Sequence, residues 1–172
     1  PEGDTVPGYF LVRRSDTLQN FAVMRKRYTA IPMDEMYRPF HEMVNEFGAE
    51  YESAGLIDGG KKTWISAKLP NSFSLKSRPD DKVQNRIMAL GTNDGTKRNA
   101  YFGISDRIHC NNQMRTIMKS ANESDYWISH TKNWEDRLHQ AQEGFHAALR
   151  GLQAFEQIAN KLDRMNMTVD EC

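Results

Sequence analysis

The chain has 172 residues, 38% of them hydrophobic and 27% charged, with 23 Lys and Arg against 23 Asp and Glu. This composition is typical of one globular domain, alone or with an appendage, and it excludes a disordered chain. A net charge of zero argues against binding of nucleic acid through an overall basic excess. No apolar run approaches the roughly 20 residues that span a bilayer. The first residues also lack the basic-then-apolar layout of a signal peptide, so we expect a soluble, cytoplasmic protein with no membrane partner.

The first third of the chain is predicted to form a hairpin and then a helix. Residues 9–14 and 21–28 are rich in β-formers and are separated by a polar Ser-Asp-Thr turn, which predicts two antiparallel strands. From Met33, apolar residues recur at three- and four-residue steps until Gly48, which predicts one amphipathic helix. Pro39 lacks a backbone donor, so we expect a kink there or a helix that begins near it.

The middle of the chain is predicted to form an antiparallel sheet. Residues 51–57 and 61–69 are joined by Asp-Gly-Gly, and residues 83–92 and 97–104 are joined by Asn-Asp-Gly. An Asp-Gly pair between two strand-like segments is a strong hairpin signal because the turn needs positive φ. A short helix over residues 111–119 is expected where the sheet ends.

The last third has the spacing of a long helix. Apolar residues alternate by four and three over about four heptads from Trp134 to Leu162. This helix either lies on the sheet or associates with a second copy of the chain. We therefore predict an α+β sheet domain over residues 9–132 and a long C-terminal helix over residues 133–165 as a possible oligomerisation element. The expected fold is α+β, with a curved antiparallel β-sheet of about five to six strands, a packed helix and the long C-terminal helix.

The zero net charge hides a separation of charge between elements. Residues 10–32 carry five cations and one acid, and residues 61–119 carry twelve cations and four acids. Residues 33–60 carry one cation and seven acids, and residues 120–172 carry five cations and nine acids. Predicted strands are thus basic and predicted helices acidic. If the helices cover one face of the sheet, the other face presents a positive field to a polyanion.

Strand alternation identifies residues for that basic face. In residues 61–69, Thr63, Ile65, Ala67 and Leu69 share a face suited to the core, and the opposite face carries Lys62, Trp64, Ser66 and Lys68. Cations that contact phosphates and rings that stack on bases form a surface for single strands. The candidate nucleic-acid-binding residues are Lys62, Trp64, Lys68, Lys97, Tyr101 and Arg107. The alternative is that the two rings are partly buried and the lysines only keep the sheet soluble.

The segment SDRIHCNNQM at residues 105–114 contains residue types of a thiol hydrolase or a zinc site. His109 and Cys110 point to opposite faces if the segment is extended, so they do not form a catalytic pair. Together with His130 they supply at most three of the about four ligands that a closed zinc site needs. We therefore expect Cys110 to be buried and Asn111 or Asn112 to cap a helix. We expect no enzyme activity, no metal and no cofactor.

Five stretches stand out in order along the chain: RKRYTAIP at 25–32, GAEYESAGLIDGGKKTWISAKLP at 48–70, LGTNDGT at 90–96, RIHCNNQM at 107–114 and SHTKN at 129–133. Together they resemble the phage- and plasmid-encoded family known as domain of unknown function 932, over about residues 9–144. Related sequences usually have Asn-x-His-Asp-Gly where this chain has Thr92-Asn93-Asp94-Gly95, so any role of that histidine does not carry over. They tend to have Val-Cys-x-Asn-Thr-Leu around Cys110, so His109 lies at a position that the family pattern does not require.

The resemblance implies a mobile-element protein in a bacterial host cell, although the family has no established activity. The order of predicted elements is also similar to the core of single-strand annealing proteins of the Red-beta type, which is an analogy of topology. We therefore expect a phage or plasmid protein that binds single-stranded DNA as a homo-oligomer, in strand annealing, recombination or protection. The alternative is a non-enzymatic protein-interaction module that engages a host factor through the acidic long helix.

Overall fold

The computed structural model of the chain describes residues 6–75, 78–104 and 127–162. These residues form an α+β fold with an antiparallel sheet, as predicted. The elements are β1 (Tyr9–Arg13), β2 (Asn20–Arg25), α1 (Met33–Glu46), β3 (Glu50–Ile57), a 3-10 turn (Asp58–Gly60), β4 (Lys62–Leu75), β5 (Arg78–Thr92), β6 (Asn99–Ile104), β7 (Trp127–Ile128) and α2 (Trp134–Leu162).

The strands form two separate antiparallel sheets. The main sheet has the order β3-β4-β5-β6-β7, and β1 pairs with β2 in a two-stranded ribbon. Both predicted glycine turns are present, and their φ values explain why glycine is needed: Gly59 and Gly60 lie at 70° and 97°, and Gly95 lies at 68°. The predicted hairpins are therefore confirmed, and each keeps neighbouring strands adjacent in the sheet.

The central strands are longer than the predicted segments 61–69 and 83–92. Beyond Lys68, β4 continues to pair with β5 from Ser72 to Leu75, after an irregularity between Lys68 and Ser72. Pro70 lies in this irregularity, where its missing N–H does not interrupt a regular ladder. The predicted segment ends at Leu69, just before the proline, whereas pairing with β5 continues past it.

Helix α1 begins at Met33, as the apolar spacing predicts, so Pro39 does not delay its start. Its C-terminus is closed by Gly48, which has φ of 60°. The amide of Ala49 donates to the carbonyl of Val44 at 2.9 Å, and the amide of Gly48 donates to the carbonyl of Asn45 at 3.4 Å. This pair of bonds satisfies two of the last helical carbonyls, and the left-handed turn is why glycine ends the helix.

One face of the main sheet carries both helices. Met36 and Phe40 of α1 and Phe145 of α2 are fully buried against Ala67 and Tyr101 in one apolar cluster. Burial of each such large side chain contributes about 1.5–3 kcal/mol to stability. The predicted inward face of residues 63–69 is thus confirmed, since Ala67 and Leu69 belong to this cluster and Ile65 packs against it.

The opposite face of the main sheet carries a second apolar cluster. The ladder pairs Trp64 with Leu90, Leu90 with Ala100 and Ala100 with Trp127, so these four residues form one row across the sheet. Ile57, Met88 and Phe102 extend the cluster. This face is therefore apolar at its centre.

Helix α2 packs on the sheet through its first half. Leu138, Ala141 and Phe145 are buried, and Trp134 packs against the same cluster. In the last two turns, Ile158 and Leu162 are 56% and 58% exposed. Among the described residues, no helix is long and apolar enough to cross a membrane.

Candidate functional site

The two rings predicted to stack on bases are buried and lie on opposite faces of the sheet. Tyr101 pairs with Ala89 on the helix-covered face, and its hydroxyl donates to the carbonyl of Met36. Trp64 lies on the other face and is 6% exposed, whereas Tyr101 is 0% exposed. Burial also raises the pKa of the Tyr101 hydroxyl. The prediction that these rings share one open surface is wrong, because the strand register places them on different faces.

Two of the predicted cations form ion pairs within the sheet. The Nζ of Lys62 lies 3.1 Å from Asp94 and 3.5 Å from Asp58, and the Nζ of Lys68 lies 3.7 Å from Glu50. The two ion pairs of Lys62 join the two glycine turns, and the ion pair of Lys68 joins β4 to β3. Arg107 and the whole segment SDRIHCNNQM lie outside the described residues.

Lys97 lines a cavity of about 560 Å³ where the β5–β6 turn meets the segment that follows β7. We call this cavity the turn pocket. Its lining residues are Tyr28, Gly95, Thr96, Lys97, Arg98, Trp127, Ser129 and His130. They come from three distant parts of the chain, so only the fold brings them together.

Beside the turn pocket, a group of polar side chains is buried and hydrogen bonded. The Oδ1 of Asn99 accepts from the amide of Thr92 at 2.7 Å, and the hydroxyl of Thr92 donates to the carbonyl of Lys97 at 2.7 Å. The Nδ1 of His130 donates to the carbonyl of Thr29 at 3.2 Å, while its Nε2 lies 3.4 Å from the hydroxyl of Thr92. Burial lowers the pKa of His130, so the imidazole is neutral and acts as a fixed structural group.

Aromatic rings form one wall of the turn pocket. Tyr28 stacks on His130 with ring centroids 4.5 Å apart and planes 16° apart. Burial and the nearby Asp94 raise the pKa of the Tyr28 hydroxyl, which finds no hydrogen-bond partner within the described part of the chain. Trp127 is partly exposed, unlike Trp64 in the same row. The pocket thus offers a ring surface, and the Tyr28 hydroxyl is buried behind it.

The β5–β6 turn is hydrogen bonded internally and lies against the ribbon. Asp94 accepts from the amide and hydroxyl of Thr96 at 3.0 and 2.6 Å. Burial opposes ionisation of Asp94, but the bonds from Thr96 and Lys62 outweigh it and lower the pKa of the carboxyl. Gly95 has φ of 68°, which favours glycine, and a Cβ there would lie 2.5 Å from the Cε of Met24 in β2, whose side chain would have to shift.

Lys97 and Arg98 line the turn pocket, and three further cations directly precede its lining residue Tyr28 in the chain. Residues 25–28 form a turn in which the amide of Tyr28 donates to the carbonyl of Arg25 at 2.9 Å. Lys26 and Arg27 lie between these two residues. We call the five residues the cation rim: Arg25, Lys26, Arg27, Lys97 and Arg98. In the described ranges, no carboxylate forms a salt bridge with Arg25, Lys26, Arg27 or Arg98, all of which are exposed.

The same part of the molecule contains no clear metal site. Among residues 6–75, 78–104 and 127–162, no group of three or more His, Cys, Asp and Glu side chains could hold a metal ion. The Nδ1 of His130 is bonded to the carbonyl of Thr29, and its Nε2 faces the buried hydroxyl of Thr92. The chemistry of the turn pocket is therefore that of cations, rings and hydrogen-bonding groups.

Three of the five stretches that carry the family resemblance converge on the turn pocket. They are residues 25–32, 90–96 and 129–133. In a comparison with protein families, residues 20–172 match the family described as "Domain of unknown function (DUF932)". The chain belongs to the DUF932 family. No curated protein and no solved structure matches it.

In this DUF932 protein, strand alternation did not identify most of the residues at the pocket. Arg25, Lys26 and Arg27 lie in the first quoted stretch, RKRYTAIP, and Ser129 and His130 lie in the last, SHTKN. The family resemblance of those two stretches was the available signal for these residues. Strand alternation could not relate them, because they are far apart in sequence and share no strand. For Trp127 and Arg98 the sequence contains no comparable signal.

Proposed function

We propose that this DUF932 protein binds single-stranded DNA at the turn pocket. The cation rim contacts phosphates, and the partly exposed ring of Trp127 stacks on a base. The observation that carries the proposal is an aromatic pocket lined by two cations and joined by the turn that carries three more; four of the five have no salt-bridge partner among the described residues. This combination is the one that binds single strands with little sequence preference.

Local charge supports this proposal although the whole chain is neutral. The nearest acid on the β5–β6 turn is Asp94, and its charge is offset by Lys62 at 3.1 Å. The rim itself carries five positive charges on two adjacent turns. Fields of this kind act over a Debye length of about 10 Å at 0.1 M salt, so only acids within that distance of the rim offset them.

The dimensions of the pocket support a single nucleotide in preference to a double helix. Its volume of about 560 Å³ lies within the roughly 300–1,000 Å³ typical of small-molecule sites. A base can enter such a pocket only when it is unpaired and free to leave its stack. Thr96 offers a hydroxyl group for the base edge or the sugar.

Fluorescence anisotropy with a labelled thymidine dodecamer tests the proposal. We expect Arg98→Glu to weaken binding at low salt by at least about 10-fold, because a repulsive charge replaces a phosphate contact. Lys161→Glu is the matched control, since Lys161 is an exposed cation in the last turn of α2, outside the rim. Absence of binding by the wild type at low salt, or equal losses in both variants, would refute the site.

The biological setting belongs to the same proposal. The resemblance to phage- and plasmid-encoded proteins, and the similarity of element order to Red-beta-type annealing proteins, favour a mobile-element protein that anneals or protects single strands as an oligomer. Annealing of complementary oligonucleotides, followed by fluorescence energy transfer, measures this activity. A protein that binds single strands but leaves the annealing rate unchanged would restrict the function to protection.

A second function, a protein-interaction module, is favoured by the end of α2. Ile158 and Leu162 expose two apolar side chains four residues apart on that helix. Light scattering and affinity capture from a bacterial host distinguish the two functions. A monomer that captures a host protein and binds no oligonucleotide would support the module.

A further inference from the structure

A second cavity of about 560 Å³ lies where the β1–β2 ribbon, the start of α1 and the main sheet meet. It is lined by residues 12–16 of the ribbon and its turn, by residues 30–34 at the start of α1, and by Gly60, Thr63 and Asn93 of the main sheet and its turns. We call it the helix-start cavity. Among the described residues, none lines both this cavity and the turn pocket.

The first turn of α1 brings free backbone donors to the cavity. The residue before the helix is Pro32, and no side chain caps the helix. The first amide with a backbone partner is that of Met36, which donates to the carbonyl of Pro32 at 3.0 Å. Within the described ranges, the amides of Met33, Asp34 and Glu35 therefore have no acceptor in the protein. Because Met33 and Asp34 line the cavity, the positive end of this 14-residue helix favours an anion there.

A buried side chain on the main-sheet side of the cavity also lacks a partner. Asn93 is 8% exposed, and its backbone amide donates to the carbonyl of Lys61 at 2.8 Å. Among the described residues, the side-chain amide of Asn93 forms no hydrogen bond. Buried amides are normally paired in folded proteins, because an unpaired one loses the bonds that water would supply. Since Asn93 lines the cavity, its amide group can donate to a ligand that lies there.

The charged side chains at the cavity leave one cation free. Asp16 binds Arg14 through bonds of 2.7 and 2.9 Å, so these two charges offset each other. Arg13 is exposed and forms no salt bridge within the described part of the chain. The second acid of the lining, Asp34, is exposed to water, which weakens its repulsion of an anion. Free donors at the cavity therefore outnumber free acceptors.

Apolar side chains complete the lining. Val12 and Phe21 of the ribbon are each 9% exposed, and Ile31 before α1 is 2% exposed. A bare inorganic anion does not cover these side chains, whereas a ligand with an apolar body removes them from water. The volume of the cavity lies within the roughly 300–1,000 Å³ typical of small-molecule sites.

We propose that the helix-start cavity binds a small organic anion, a carboxylate or a phosphate monoester with an apolar body. The anionic group accepts from the first amides of α1, from Arg13 and from the side-chain amide of Asn93. The apolar body lies against Val12 and Phe21. This site goes beyond the binding of single strands at the turn pocket and does not depend on it.

Isothermal titration calorimetry with phenyl phosphate and phenylacetate tests the proposal, and the tighter binder identifies the anionic group. Inorganic phosphate and benzyl alcohol are the comparison ligands, because each carries only one of the two required features. We expect each of them to bind at least about 10-fold more weakly than the better organic anion.

Two variants locate the bound anion. Arg13→Gln removes the free cation, and Asn93→Asp places a repulsive carboxylate at the buried amide with little change of size. We expect each to weaken binding of the better organic anion by at least about 10-fold, because a charge-assisted hydrogen bond is lost. The matched controls are Lys161→Gln and Asn133→Asp, which change exposed residues outside the cavity and should bind as the wild type does. Circular dichroism checks the fold, and the exposed Arg13→Gln decides the test if Asn93→Asp is not folded.

Four results would overturn the inference. They are a wild type that binds neither organic anion, equal binding of phenyl phosphate and inorganic phosphate, equal binding of the better anion and benzyl alcohol, and wild-type affinity in Arg13→Gln. If Arg98→Glu weakens binding of the anion while Arg13→Gln does not, the anion is held at the cation rim. Binding of the thymidine dodecamer is measured separately, so failure of this inference is distinguishable from failure of the proposed function.

Discussion

Neutralising part of the cation rim is expected to reduce the salt dependence of DNA binding by a calculable amount. Each phosphate neutralised on a single strand contributes about −0.7 to the slope of log K against log salt concentration. The five rim cations therefore predict a slope of about −3.5, which corresponds to a loss of affinity of about 100-fold between about 50 and 200 mM salt. Replacing Arg27 and Arg98 with Gln leaves three cations and predicts a slope of about −2.1 and a loss of about 20-fold.

Anisotropy titrations of a thymidine dodecamer across a series of sodium chloride concentrations measure both slopes. Lys161→Gln keeps the rim intact and is expected to retain the wild-type slope, so it controls for the loss of a cation outside the rim. A double variant with the wild-type slope would show that Arg27 and Arg98 do not contact phosphates. A wild-type slope near zero would refute the electrostatic argument as a whole.

Three further predictions concern stability. Glu52→Gln should destabilise the protein by about 3 kcal/mol in urea unfolding, because its carboxylate binds the buried guanidinium of Arg86 through bonds of 2.5 and 3.0 Å. Glu50→Gln, which removes an exposed ion pair, should cost less than about 1 kcal/mol, and equal effects would contradict the assignment. Tyr101→Phe should cost about 1 kcal/mol in the same assay, since a buried hydroxyl no longer donates to α1; no change would show that the bond is not stabilising. Burial lowers the pKa of His130 from its ordinary 6.5, so below about pH 6.5 the unfolded chain binds a proton that the folded chain does not. Thermal stability should therefore fall as pH decreases from 7 to 5.5, and the fall should be smaller in His130→Asn; identical profiles would contradict this.

Local sequence patterns predicted most of the elements of this protein. The Asp-Gly turns require positive φ, and glycine supplies it at positions 59 and 95. The three- and four-residue spacing from Met33 predicted α1, and Gly48 predicted its end. Alternation in β4 predicted that Ala67 and Leu69 face the core. Each of these features depends on residues close together in sequence.

The tertiary structure decided how those elements are related. Alternation predicts which residues of one strand share a face of the sheet, but not which face of the next strand lies beside them. Trp64 pairs with Leu90 and Leu90 pairs with Ala100, so Ala100 lies on the same face as Trp64. Tyr101, the next residue in β6, therefore lies on the other face. The distribution of charge along the sequence has the same limit. Lys62 was predicted to contact phosphates, but it forms an ion pair with Asp94, which lies 32 positions away in the sequence. The turn pocket likewise exists only where residues 25–28, 93–98 and 127–130 meet. Such long-range contacts depend on strand register and packing, which no local pattern in the sequence specifies.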